Sequence, residues 1–163
     1  MSTFYRRNLP HIEKDGASYF VTFSTRNEFI LPNTARTLVF DHCLFEHSRK
    51  VEMHAFVVMP DHVHLLFTPL EDDRGEPYSL ADIMNGIKGA SSHSVNKLLG
   101  RRGTLWESES FDRIVRSSTD FEYRVIYIVQ NPIAAGLAKG PHDYRWAWRE
   151  FTQPRAAASQ NSK

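Results

Sequence analysis

Residues 18 to 25, SYFVTFST, alternate aromatic or branched side chains with small polar ones, the period of two that marks a strand with one buried face. Pro32 and Asn33 break the chain, and TARTLVFDHCLFEHSRK at 34 to 50 then sets Leu38, Val39, Cys43 and Phe45 near helical spacing. Two apolar runs, VEMHAFVVM at 51 to 59 and HVHLLFTP at 62 to 69, are joined only by Pro60 and Asp61, which predicts an antiparallel hairpin. Beyond the acidic loop PLEDDRGEP, the stretch SLADIMNGIKGASSHSVNKLL reads as a helix capped by Ser79, with Leu80, Ile83, Ile87 and Val95 inward. Gly86 and Gly89 weaken its middle enough to allow two shorter helices instead. GTLWESESFDRIVRS predicts a turn and a strand near 110 to 116, and Ser118 or Thr119 caps a last helix, FEYRVIYIVQ, that ends at Asn131 and Pro132. The order β-α-β-β-α-β-α predicts an α+β fold, a ferredoxin-like antiparallel sheet with helices mainly on one face.

A length of 163 residues with 41% hydrophobic content suits one domain, expected over 1–150, and leaves a disordered tail over 151–163, where RAAASQNSK and its flank have almost nothing to bury. No apolar run approaches the roughly 20 residues of a membrane span, and the start MSTFYRRNLPH lacks the apolar stretch of a secretory signal, so a soluble cytoplasmic protein is expected. The single cysteine, Cys43, has no internal disulfide partner and reads as a small core residue. With a formal net charge of +1, a nucleic-acid partner has to be sought in local distribution. Residues 86 to 106 carry Lys88, Lys97, Arg101 and Arg102 with no acid, a segment able to track phosphates, though a solvated helix face has the same composition.

Two positions invite chemistry. His62 and His64 lie two apart on a strand, so both imidazoles leave the same face with Cα atoms about 7 Å apart, near enough to converge on one divalent ion. Val63 between them faces the core. On the last helix, Tyr127 and Asn131 are four apart and share a face, which sets a hydroxyl beside a neutral oxygen ligand. A core tyrosine beside a C-capping asparagine gives the same spacing, and Tyr123 lies one turn earlier, so periodicity does not name the nucleophile.

Taken jointly, VVMPDHVHLLF at 57 to 67, IK at 87 to 88, Trp106 followed by FDRIVR at 111 to 116, YIVQNPIAAGL at 127 to 137 and YRW at 144 to 146 resemble the REP-associated tyrosine transposases. These are relatives of the small single-tyrosine transposases of insertion sequences, marked by two histidines flanking one hydrophobic residue. The resemblance implies that His62 and His64 hold a divalent metal, Mg²⁺ or Mn²⁺, with Asn131 as third ligand, where the insertion-sequence relatives usually have glutamine. It further implies that Tyr127 is the nucleophile and Tyr123 a packing residue. Single-stranded or hairpin DNA is the implied substrate, cut and rejoined through a 5′-phosphotyrosine by a monomer or homodimer. Ala134, where a basic residue often follows the Asn-Pro pair, and Ala147-Trp148, where serines usually follow YRW, depart from the family pattern and bear on how DNA is held. Two other readings compete. A histidine-triad nucleotide hydrolase needs a histidine where Leu66 stands, and a non-catalytic single-strand DNA-binding or regulatory module has no use for an intact Tyr127, His62 and His64.

Overall fold

The computed structural model describes residues 16–150; the tail expected over 151–163 lies outside the described residues. Five strands, β1 (Ser18–Ser24), β2 (Val51–Val58), β3 (His62–Pro69), β4 (Phe111–Val115) and β5 (Ala147–Arg149), form one antiparallel sheet in the order β4-β1-β3-β2-β5. Three helices accompany it: α1 (Asn33–Phe45), α2 (Leu80–Leu99) and α3 (Ser118–Ala134). The first four strands with α1 and α2 make the ferredoxin-like unit, and α3 and β5 are added after it.

Strand alternation sorts the sheet's two faces. Val21, Phe23, Phe56, Val63 and Leu65 are fully or almost fully buried beneath α1 and α2. There Phe56 meets Phe40 of α1 at 5.0 Å, and Phe23 meets Trp106 at 4.7 Å, whose indole N–H donates to Ser91 of α2. Cys43 is fully buried on this side and its thiol is pushed up by burial, as a core residue rather than a nucleophile. The opposite face carries Phe20, Thr22 and His64, and α3 crosses it over β2, β3 and β5.

Several local expectations shift. The first helix stops at Phe45, because residues 46 to 50 form a turn in which Ser48, at φ 73°, sends its N–H back to Val51. The glycines do not split α2: Ile83, Ile87, Ser91 and Val95, one turn apart and buried, hold a continuous helix until Gly100 closes it in the left-handed region. Ser117, not Ser118 or Thr119, caps α3, its hydroxyl accepting from the Asp120 N–H. That helix also passes through Pro132 to Ala134, since a proline so near the end removes one helical bond and its buried ring packs inward.

Candidate active site

On the face beneath α3, the hairpin brings His62 and His64 together with ring centroids 4.8 Å apart. His64 is 5% exposed, stacks on Phe20 and has its Nδ1 2.7 Å from Thr22 Oγ1. Its Nε2 is buried without a hydrogen-bond partner among the described residues. Burial first, then the neighbouring His62 and Arg124, push the pKa of His64 down to about 3, so the ring is neutral at physiological pH with a lone pair to give. His62 is half-buried and anchors its own Nδ1 on Asp61 Oδ1 at 2.8 Å. Each imidazole is thus oriented through Nδ1, the arrangement that second-shell partners impose on metal-binding histidines, and the orphaned Nε2 of His64 is the atom a divalent ion would satisfy.

Tyr127 approaches this pair from α3, edge-on to His64 at 5.2 Å and to Phe20 at 5.9 Å. It is 38% exposed, open to solvent. Tyr123 is 56% exposed and leans on Tyr127 with ring centroids 6.5 Å apart, so it is not the packing residue that the resemblance implied. What separates the two tyrosines is His64, which meets the ring of Tyr127. Between them Arg124 lays its guanidinium over Phe20 at 4.7 Å and Tyr123 at 5.1 Å, with Asp120 at 3.5 Å.

Asn131 is half-buried one turn beyond Tyr127, about 6 Å further along the helix axis. The C-cap is Ala135, whose N–H donates to the backbone oxygen of Asn131, and the Asn131 side chain has no hydrogen bond among the described residues. The capping role therefore falls away, and the amide is free. A polar recess opens beside His62, lined by Ser24, Thr25, Asn27, Glu28, Asp61 and Glu107. Sequence reasoning missed Glu28 and Glu107 because only the folded chain brings these loops together, through backbone bonds such as Arg26 N–H to the Leu105 oxygen. Asp61 was within reach, standing next to His62 in the motif.

A second cluster was also missed. Glu52, His54 and Glu150 place one ligand atom each within 4.8 Å of one another, four residues along β3 from His64, or roughly 13 Å. Both nitrogens of His54 are already engaged, Nδ1 with Glu150 at 3.1 Å and Nε2 with Thr68 at 2.8 Å, and Thr68 continues to Ser18. That chain ties β1, β2 and β3 to Glu150, the residue after β5, and gives His54 a structural role.

The basic segment divides. Lys88 is turned inward and donates to the backbone oxygens of Glu107 and Ser108 and to Ser110 Oγ. Desolvation lowers its pKa, with Asp112 and Glu107 opposing. Arg101 folds over Phe29 at 4.5 Å and bonds Asn96. Lys97 and Arg102 are exposed.

Comparison with known proteins supplies the class to which this fold belongs. The sequence profile of the family described as "Transposase IS200 like" matches residues 20–130, and the chain belongs to that family. It is a tyrosine transposase. A REP-associated tyrosine transposase of Escherichia coli (strain K12) is 25% identical over 138 residues, covering 83% of this chain and 77% of the relative. A second relative, from Haemophilus influenzae (strain ATCC 51907 / DSM 11121 / KW20 / Rd), is 24% identical over 102 residues, or 60% of this chain and 57% of its own. Among solved structures, a REP-associated tyrosine transposase bound to a REP hairpin superposes with a TM-score of 0.66 at 22% identity, covering 90% of this chain and 81% of that one. At that identity the likeness speaks for the fold. Among the described residues, no helix is long and apolar enough to cross a membrane.

Proposed function

We propose that residues 1–150 act as one domain that cleaves and rejoins single-stranded or hairpin DNA, with Tyr127 as nucleophile and His62, His64 and Asn131 as the ligands of a divalent ion. The observation that carries this reading is the buried Nε2 of His64, without a partner among the described residues, beside the Tyr127 ring. An unsatisfied buried nitrogen is costly and persists where a ligand satisfies it. The hairpin substrate is taken from what the structurally similar transposase binds.

A tyrosine hydroxyl has an ordinary pKa near 10 and is a weak nucleophile at neutral pH, so the phosphate has to be made more electrophilic. His62, His64 and Asn131 would hold a divalent ion, Mg²⁺ or Mn²⁺, and that ion would supply Lewis acidity toward the phosphate. The chain does the rest. Phe20 and His64 confine the Tyr127 ring to a narrow approach, and Asp61 and Thr22 keep the two imidazoles turned to one point. Attack by Tyr127 Oη forms the 5′-phosphotyrosine and releases a 3′-hydroxyl, which leaves a phosphodiester bond that another 3′-hydroxyl can reclaim without ATP.

The test is a covalent adduct. Wild-type protein incubated with Mn²⁺ and hairpin DNA from repeats flanking its gene should yield a protein-DNA band that survives denaturation. Tyr127→Phe should abolish the band while retaining binding, and Tyr123→Phe should keep it. A full yield of adduct from Tyr127→Phe would refute the assignment.

A further inference from the structure

The register of the edge strand extends the catalytic face beyond the residues discussed so far. Thr22, which holds His64, pairs across the sheet with Phe111 of β4, and Phe20 pairs with Arg113. Directly paired residues of antiparallel strands project from the same face. Phe111 and Arg113 therefore stand on the side of Phe20, Thr22, His64 and Tyr127, with Phe111 two strands, or about 10 Å, from His64. Asp112 between them turns to the other face, where its charge acts on Lys88 of α2.

Helix α3 packs chiefly over β2, β3 and β5 and reaches β1 at Phe20, which lies under Tyr127 and Arg124. Beyond Phe20, at the edge strand, Phe111 is 54% exposed and Arg113 is exposed too. The exposed ring sets Phe111 apart from the other strand aromatics, of which Tyr19, Phe20, Phe23, Phe56 and Phe67 are buried and Trp148 is half-buried. With the exposed Tyr123 and Tyr127 on α3, this face presents rings and the Arg113 cation on the same side as the nucleophile. Aromatic faces that stack successive bases, interleaved with arginines that hold phosphates, are how single-stranded nucleic acid is held.

We infer that Phe111 and Arg113 form a binding strip for the unpaired nucleotides next to the scissile phosphate, Phe111 stacking a base and Arg113 holding a backbone phosphate. This rests on the transposase reading and adds the path of the strand. The positive charge and the continuity with Tyr127 select single-stranded DNA as the occupant over a second copy of this chain.

The full-length protein is titrated, without divalent ion, with a fluorescent oligothymidylate and with a blunt duplex of matched length. Phe111→Ala should weaken oligothymidylate binding about tenfold and leave duplex binding unchanged, whereas Phe111→Tyr keeps the affinity. Arg113→Ala should reduce the salt slope by about 0.7, the release expected for one single-strand phosphate. Phe111→Trp should show new indole emission that oligothymidylate quenches. Wild-type single-strand affinity in Phe111→Ala, or an unaltered slope in Arg113→Ala, overturns the strip. So does a change of sedimenting mass in Phe111→Ala with DNA binding intact, which assigns the surface to a second copy. Adduct formation by wild type, measured in parallel, keeps the two readings apart: adduct with normal Phe111→Ala binding sinks only the strip, and no adduct with a tenfold binding loss sinks only the nucleophile.

Discussion

His64 joins the site to folding stability. Its folded pKa, about 3, lies below the ordinary histidine value near 6.5, so the unfolded chain takes up the proton first as pH falls. The sign follows: the contribution of the neutral, buried ring is complete above pH 6.5 and is lost between about 6.5 and 3. Each pH unit in that window removes up to about 1.4 kcal/mol. Asp112, raised to about 6 by burial, works the other way, because its protonated form is favoured in the fold and stability falls as pH climbs from the ordinary carboxylate range to about 6. Only a difference between proteins isolates the histidine. Thermal melts of wild type and His64→Gln in chelator, from pH 7 to 4, should show the wild type losing stability more steeply. Parallel curves would mean that His64 takes up its proton as readily in the folded protein as in the unfolded chain. The two histidines were legible because Val63 between them fixes the alternation, whereas the choice between Tyr123 and Tyr127 was not, since the helix repeats its face each turn and only the contact with His64 distinguishes them.

Within the elements, the basic segment shows how far spacing misleads. Lys88, Lys97, Arg101 and Arg102 all lie on or just after α2, and charge alone grouped them as a phosphate track. Folding assigns them different work, because a lysine facing a neighbouring loop satisfies its carbonyls while one facing water does not. Lys97→Ala with Arg102→Ala should lower affinity for single-stranded DNA and flatten its salt dependence with the melting temperature nearly unchanged. Lys88→Met should instead destabilise the fold by about 2 kcal/mol, as it releases the contacts with Glu107, Ser108 and Ser110. If Lys88→Met melts like wild type and only DNA binding suffers, the lysine belongs with the phosphate contacts. The helix ends were misread for a related reason: Ser117 captures the Asp120 N–H one residue before the expected cap, and Pro132 is carried inside α3 because its ring is buried.

At the level of the molecule, the ferredoxin-like order was readable from period and turn, since β1 alternates and β2 and β3 are apolar runs joined only by Pro60 and Asp61. β5 was not. Its three residues carry no period, and it is held by what surrounds it, with the Tyr144 hydroxyl donating to the Val58 oxygen at 2.7 Å and the Trp146 indole to Thr37 at 2.9 Å. Nor does any pattern reveal that α3 crosses the sheet opposite α1 and α2, which is what turns a strand motif and a helix motif into one site. That assembly has a thermodynamic consequence. His62 and His64 lie far in sequence from Asn131, so the unfolded chain offers a divalent ion only the nearby histidine pair, and preferential binding to the folded state must stabilise the whole fold.

An ion present at a hundred times its dissociation constant adds about 2.7 kcal/mol to a fold that alone binds it, which for a chain of this size raises the melting temperature by roughly 5–10 °C. The shift between Mn²⁺ and chelator therefore reports the ligand set without reference to cleavage. His64→Gln should remove it. Asn131→Ala should shrink it at a fixed Mn²⁺ concentration, and Asn131→Asp, which keeps an oxygen and adds a charge, should restore it. Glu150→Gln serves as the control for the edge cluster of Glu52, His54 and Glu150 and should leave the shift intact, although it loosens β5 in both conditions. A shift that survives in His64→Gln and vanishes in Glu150→Gln would move the ion to the sheet edge. An undiminished shift in Asn131→Ala would pass the third position to a carboxylate of the recess beside His62, with Glu28 and Glu107 next to be tested.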